Sequence, residues 1–159
     1  MGDRAYDFDA NLILSDQVAA YTADGFLQVS GANAVINIGG NQSTSPTQQA
    51  RTEFAVVVEI SAIDVASTNE TYQLKIIGNN TGNFADGTGV VLGMLEFGDG
   101  PTRIPVNALV DTTIGEYEMF FTNEQGGTKY QYAAAFLDVG GTTPSITFTS
   151  VYAAPMPGA

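Results

Sequence analysis

The sequence predicts an all-β fold, a two-sheet antiparallel sandwich of jelly-roll type with about eight strands, and three observations predict it. Val, Ile, Thr and the aromatic residues make up 56 of 159 residues while charged residues are only 14%. That balance suits pleated, half-buried surfaces. Eighteen Gly and six Pro supply turns. Clusters of these breakers recur at the short intervals of a sandwich. Eight strands in two sheets is the jelly-roll count, although the count alone does not separate that path from other Greek-key sandwiches.

Short strands or turns are expected at Leu12 to Gln17 and Gly25 to Val29, followed by a strand at Asn33 to Ile38 that ends on Gly39-Gly40-Asn41. Residues 40–52 (GNQSTSPTQQART) are polar and read as a surface loop. Glu53 to Asp64 is almost continuously apolar, as a central strand should be. Thr71 to Gly78 alternates, with Tyr72, Leu74 and Ile76 on one face and Gln73 and Lys75 on the other. Val90 to Phe97 is a strand in which Gly93 marks a bulge. Thr102 to Asn107 contains Pro105 and is placed at an edge. Gly115 to Thr122 puts Tyr117, Met119 and Phe121 on one face and Glu116, Glu118 and Phe120 on the other. Asn123 to Thr128 has the length and the Gly-Gly of a hairpin loop. Lys129 to Asp138 and Ser145 to Tyr152 complete the set. The expected core comprises Phe54, Val56, Val58, Ile60, Leu74, Ile76, Leu95, Tyr117, Met119, Phe121, Tyr132, Phe136 and Phe148.

One domain spans residues 1–159, with an N-terminal arm at about 1–11 and a short C-terminal tail at about 153–159. With no Cys, disulfides and thiolate metal sites are excluded. With no His, so are the Ser-His-Asp triad and His-ligated zinc. Five basic against seventeen acidic residues give a net charge of −12, which disfavours nucleic acid as a partner. No apolar run approaches the ~20 residues of a membrane span, and the acidic start lacks the basic flank of a secretion signal. The expectation is a protein with neither membrane nor nucleic-acid partner, made in the cytoplasm, with no cofactor and no metal.

Three constellations invite a chemical reading. Glu116 and Glu118 share a strand face, and carboxylates roughly 5 to 9 Å apart serve glycoside hydrolysis, but solvent-facing alternation gives the same pattern. Asn79, Asn80, Asn83 and Asp86 offer oxygens to an ion from one loop, yet with a single carboxylate a turn built by Asn and Gly is the plainer reading. Tyr130 and Tyr132, with Phe120 or Tyr117 on the neighbouring strand, could form an aromatic platform for sugar rings, or could face the core. Three Asn-X-Ser/Thr sequons, at Asn41, Asn69 and Asn79, read as ordinary Asn and Thr usage.

Read together, LILSDQVAA, NAVINIGG, RTEFAVVVEIS, TYQLKII, RIPVN, GEYEMFF and KYQYAAAFLDV resemble the jelly-roll capsid cement (decoration) proteins of tailed bacteriophages. The similarity runs from about Leu12 to Val151. It implies a non-enzymatic structural protein on the outer capsid surface of a virion. Such a protein braces adjacent major capsid protein subunits against internal DNA pressure, as a homo-oligomer, dimer or trimer. Tyr6, Phe8, Pro155, Met156 and Pro157 in the two ends are the candidate capsid contacts. The alternative is a carbohydrate-binding sandwich module of a phage fibre or surface protein, using Tyr130, Tyr132 and a metal in the loop.

Overall fold

The computed structural model describes residues 9–39, 51–85, 89–99 and 111–156. Asp9 opens a single 3-10 turn, Ala10–Leu12, by accepting from the Asn11 backbone N–H at 2.8 Å. The strands follow as β1 (Ile13–Ser15), β2 (Gly25–Phe26), β3 (Gln28–Val29), β4 (Ala32–Asn33), β5 (Val35–Asn37), β6 (Glu53–Ile63) and β7 (Thr71–Asn79). The rest are β8 (Val90–Gly98), β9 (Gly115–Thr122), β10 (Glu124–Gln125), β11 (Thr128–Lys129), β12 (Tyr132–Gly140) and β13 (Ile146–Pro155). The first sheet has the order β1-β13-β6-β9. The second has the order β2-β12-β7-β8, with β5 also pairing β12. This is an all-β, two-sheet antiparallel sandwich. Among the described residues nine strands build the two sheets, and β3-β4 and β10-β11 are small separate hairpins.

The extra strands come from the stretch before Asn37, where positive φ at Ser30 (52°) and Gly31 (78°) folds β3 back on β4. Gly126 and Gly127, at 58° and 81°, make the expected hairpin between β10 and β11. The expected bulge in β8 is present: Ile76 pairs Gly93 while Ile77 pairs Val91, leaving Leu92 as the extra residue. The edge strand expected at Thr102 to Asn107 and most of the 40–52 loop lie outside the described residues.

β6 is central, as expected, between β13 and β9. Its even-numbered residues Phe54, Val56, Val58 and Ile60 enter the core, and Ala55 and Val57 are also buried on its other side. β13 runs on to Pro155, past the point where the tail was expected to begin. Ala153 pairs Val56, Ala154 pairs Ala55, and both are fully buried. Proline ends the strand without breaking it because its missing N–H falls at the last position. The Met156 backbone N–H then donates to Glu53 O at 3.0 Å.

The register of β12 corrects the expected core. Ala133, Ala135 and Leu137 face inward and are fully buried, while Tyr132 and Phe136 stand on the outer side, half-buried. Interior packing leaves little spare volume. Tyr72, Phe97, Phe148, Phe54 and Tyr21 already supply large rings to this cluster, so the alanine face is the one that fits. The remaining expected residues are in place, with Leu95 and Tyr117 partly buried against the cluster.

One corner is tightly specified. Gly98 (φ +123°) and Gly141 (φ +102°) press on the Asn69–Glu70 backbone, where a Cβ would collide with the Glu70 and Asn69 carbonyl oxygens respectively. Only glycine satisfies both the conformation and the approach. Beside it the buried Tyr72 ring sends its hydroxyl to the rim, donating to Asp64 O at 2.7 Å and accepting from the Ser145 backbone N–H at 2.9 Å. Burial first, and then the nearby Asp64 and Glu70 charges, raise the Tyr72 pKa above its ordinary value against the opposing effect of these bonds.

Two outcomes follow from this packing. Leu137→Ala should cost about 2–5 kcal/mol in chemical denaturation, and Phe136→Ala clearly less, since its ring is not in the core. Because the folded Tyr72 pKa lies above the unfolded one, its contribution is intact below about pH 10 and declines as pH rises beyond it. Denaturation curves of Tyr72→Phe should lack that alkaline decline.

Candidate functional site

The alternation that sends Tyr72, Leu74 and Ile76 of β7 inward sends Gln73, Lys75 and Ile77 to the outer face of the second sheet. Register places Glu96 of β8 and Asp138 of β12 on either side of Gln73. One row further, Met94 and Phe136 flank Lys75, and Phe136 is followed by Phe26 of β2. The polar groups are bonded across strands. Gln73 Nε2 donates to Glu96 Oε1 at 2.8 Å, and Lys75 Nζ donates to Asp138 Oδ2 at 2.8 Å. The Lys75 and Asp138 side chains are 25% and 42% exposed, so this pair contributes at most about 1 kcal/mol to stability. Its main effect is to hold both heads in fixed positions. Phe26 and Phe136 pack edge to face with centroids 5.1 Å apart, and Met94 and Val91 stand well exposed at the β8 edge. The face therefore joins an ordered polar row to an apolar strip.

The loop after β7 closes one end of this face. Asn79 is buried and organises it: Oδ1 accepts from the Thr81 and Gly82 backbone N–H groups at 3.2 and 2.8 Å, and Nδ2 donates to Asn83 O at 2.8 Å. Asn80 bridges to β11 and to the residue before β12, donating to Lys129 O and accepting from the Gln131 backbone N–H. Phe84 is buried against Phe26 at 6.2 Å. These Asn oxygens hold backbone, the plainer of the two expected readings, while Asp86 lies outside the described residues. Among the described residues no group of three or more acidic, His or Cys side chains is arranged for a metal. The Asn69 sequon is likewise a structural link, since both ends of its amide bond Thr142.

The structure separates the other residues singled out by sequence. Glu116 and Glu118 are exposed on β9, on the outer face of the first sheet, opposite Glu59 and Val57 respectively. There the Tyr152 pKa is raised, by burial first and then by the Glu116 and Glu59 charges. The aromatic platform does not assemble: Tyr117 and Phe120 belong to the first sheet and Tyr132 to the second. Tyr117 instead packs on Phe97 at 5.2 Å. A side chain at Gly82 would begin 3.5 Å from the Tyr132 ring, so the loop occupies one side of it. Tyr130 sits between β11 and β12, with its backbone N–H and C=O both bonded to Asn123. Pro155 and Met156 line an open cavity of about 450 Å3 with Arg51, Thr52 and Glu53. Tyr6, Phe8 and Pro157 lie outside the described residues.

Sequence reasoning missed the grouping of Gln73, Lys75, Met94, Glu96, Phe136 and Asp138. Its signal was the shared parity of Phe136 with Asp138: a carboxylate on the same side of a strand marks that side as the wet one.

No protein-family model matches the chain, and no curated protein matches it. Among solved structures the chain is similar to a mutant xylanase 10C from Cellvibrio japonicus in complex with xylopentaose. The TM-score is 0.37 at 16% identity, over 97% of this chain and 25% of that one. The chain thus spans about a quarter of that protein's length. A likeness of this degree identifies neither family nor ligand. That protein is a xylanase and not the phage capsid protein the resemblance implied. None of the three comparisons returns a capsid cement protein, and that reading is withdrawn. The segments that carried it are strand and turn patterns common to antiparallel sandwiches.

Chelator should leave the melting temperature unchanged, because the Asn79 oxygen is already bonded within the loop. Asn79→Ala should lower stability by about 1 kcal/mol in denaturant titration, the net worth of the loop hydrogen bonds its amide makes.

Proposed function

We propose that the chain is a non-catalytic carbohydrate-binding module, a sandwich of jelly-roll type that takes a glycan on the outer face of its second sheet. The observation that carries this reading is the row Glu96, Gln73 and Asp138, with Lys75 bonded into it, lying directly beside Met94 and the Phe136–Phe26 pair. A sugar ring offers hydroxyls at its rim and C–H groups on its faces. It is recognised by polar groups of fixed direction next to apolar surface. Cross-strand bonds fix those directions before binding, so less side-chain entropy is lost when the ligand arrives.

Strand pairing supports the jelly-roll path. β1 pairs β13, β2 pairs β12, β6 pairs β9 and β7 pairs β8, the pattern of one long hairpin rolled into two sheets. Compared with the sequence-based alternative, the ligand face moves from the Tyr130–Tyr132 pair to the row across β8, β7 and β12, and no loop metal takes part.

Titration calorimetry against soluble glucans, xylans, mannans and galactans should find a ligand that is bound and not cleaved. Gln73→Ala and Phe136→Ala should each weaken it about tenfold, or about 1.4 kcal/mol. Glu116→Gln and Glu118→Gln, on the opposite sheet, should leave affinity unchanged. Absence of binding across the panel, or equal loss from both sheets, would refute the assignment.

A further inference from the structure

We infer that the glycan taken by this face is uncharged, an inference that rests on the carbohydrate-binding reading above. The charges on the face carry it. Of the described cations only Lys75 stands on the strands that form the face, and its ammonium is already bound to Asp138 at 2.8 Å. Against it stand Asp138 and Glu96, and at the rim Asp24, whose carboxylate accepts from the Val139 backbone N–H at 2.8 Å, one residue beyond Asp138. Three carboxylates against one ammonium leave the surface at −2, on a chain of net charge −12.

A uronate or sulfated sugar would meet these carboxylates at short range. The ammonium it would meet is already neutralised by Asp138. A neutral sugar meets the same groups differently: carboxylate oxygens accept from hydroxyls, and the Gln73 amide, fixed by Glu96, directs its donors and acceptor along the row. The face thus matches a ligand rich in donors and poor in charge, and it rejects acidic glycans by like-charge contact as much as it selects neutral ones by hydrogen bonding.

The test compares a neutral polymer with its acidic counterpart, such as a galactan with a galacturonan or a glucan with its oxidised uronate form. Affinities are measured at low and at high salt. The wild-type chain should bind the neutral member at least about tenfold tighter at low salt, and the gap should narrow as salt screens the repulsion. Asp24→Asn keeps an acceptor for Val139 while removing a charge, and Glu96→Gln with Asp138→Asn removes two. Both changes should narrow the gap by raising affinity for the acidic member. Equal or tighter wild-type binding of the acidic polymer, weakened by salt, would overturn the inference and leave carbohydrate binding standing. Failure to bind either member of any pair would remove the carbohydrate reading itself and this inference with it.

Discussion

The direction in which β12 faces is the constraint on which the remaining structure depends. A strand has two sets of side chains, and a shift of one residue exchanges them. In β12 the choice lies between Ala133, Ala135 and Leu137 on one side and Tyr132, Phe136 and Asp138 on the other. Volume decides it: the core is already furnished with rings from β6, β7, β8 and β13, and a close-packed interior takes small residues where large ones face them. The same choice puts Asp138 beside Lys75 and Phe136 beside Phe26. Core and candidate site are two consequences of one register.

The frame around that register is held by backbone more than by charge. Gly98 and Gly141 let two loops close on the Asn69–Glu70 turn. Tyr72 ties residue 64 to residue 145. The buried Asn123 amide joins the start of β6 to Tyr130, accepting from the Thr52 backbone N–H and donating to Tyr130 O. The Tyr72 hydroxyl and the Asn123 amide are polar groups matched to partners, and losing either would leave those partners without their bonds. With Asn79 they tie described turns beside the second sheet to its strands.

The ion pairs have a different role. Lys75–Asp138 and Arg51–Glu53 are both substantially exposed and contribute little to folding. What the first of them supplies is position: an ammonium and a carboxylate held at defined places on a sheet whose spacing is itself fixed at about 4.8 Å between strands. Such pre-ordering is worth more to a binding surface than to a core.

The sequence by itself determined the class of fold and most of the strands. The continuous apolar run of β6 marked the centre of a sheet, the alternation of β7 gave its inward and outward faces, Gly93 marked the bulge and Gly126-Gly127 the hairpin. These features are local, written in spacing and turn chemistry. Tertiary structure decided the matters that depend on who sits opposite. The inward face of β12 could not be read from aromatic content, because the vacancy it fills is defined by rings on other strands. Ala153 and Ala154 looked like the start of a tail but complete β13, because β6 offers them a paired backbone and a shallow space. The candidate site needed the register of β7 against both β8 and β12 to bring Glu96, Gln73 and Asp138 into one row. Gln73 and Glu96, 23 positions apart, and Gln73 and Asp138, 65 apart, become neighbours only through hydrogen bonding between strands. Hence Glu116 and Glu118, adjacent in sequence pattern, drew the eye, while the residues that share a surface did not.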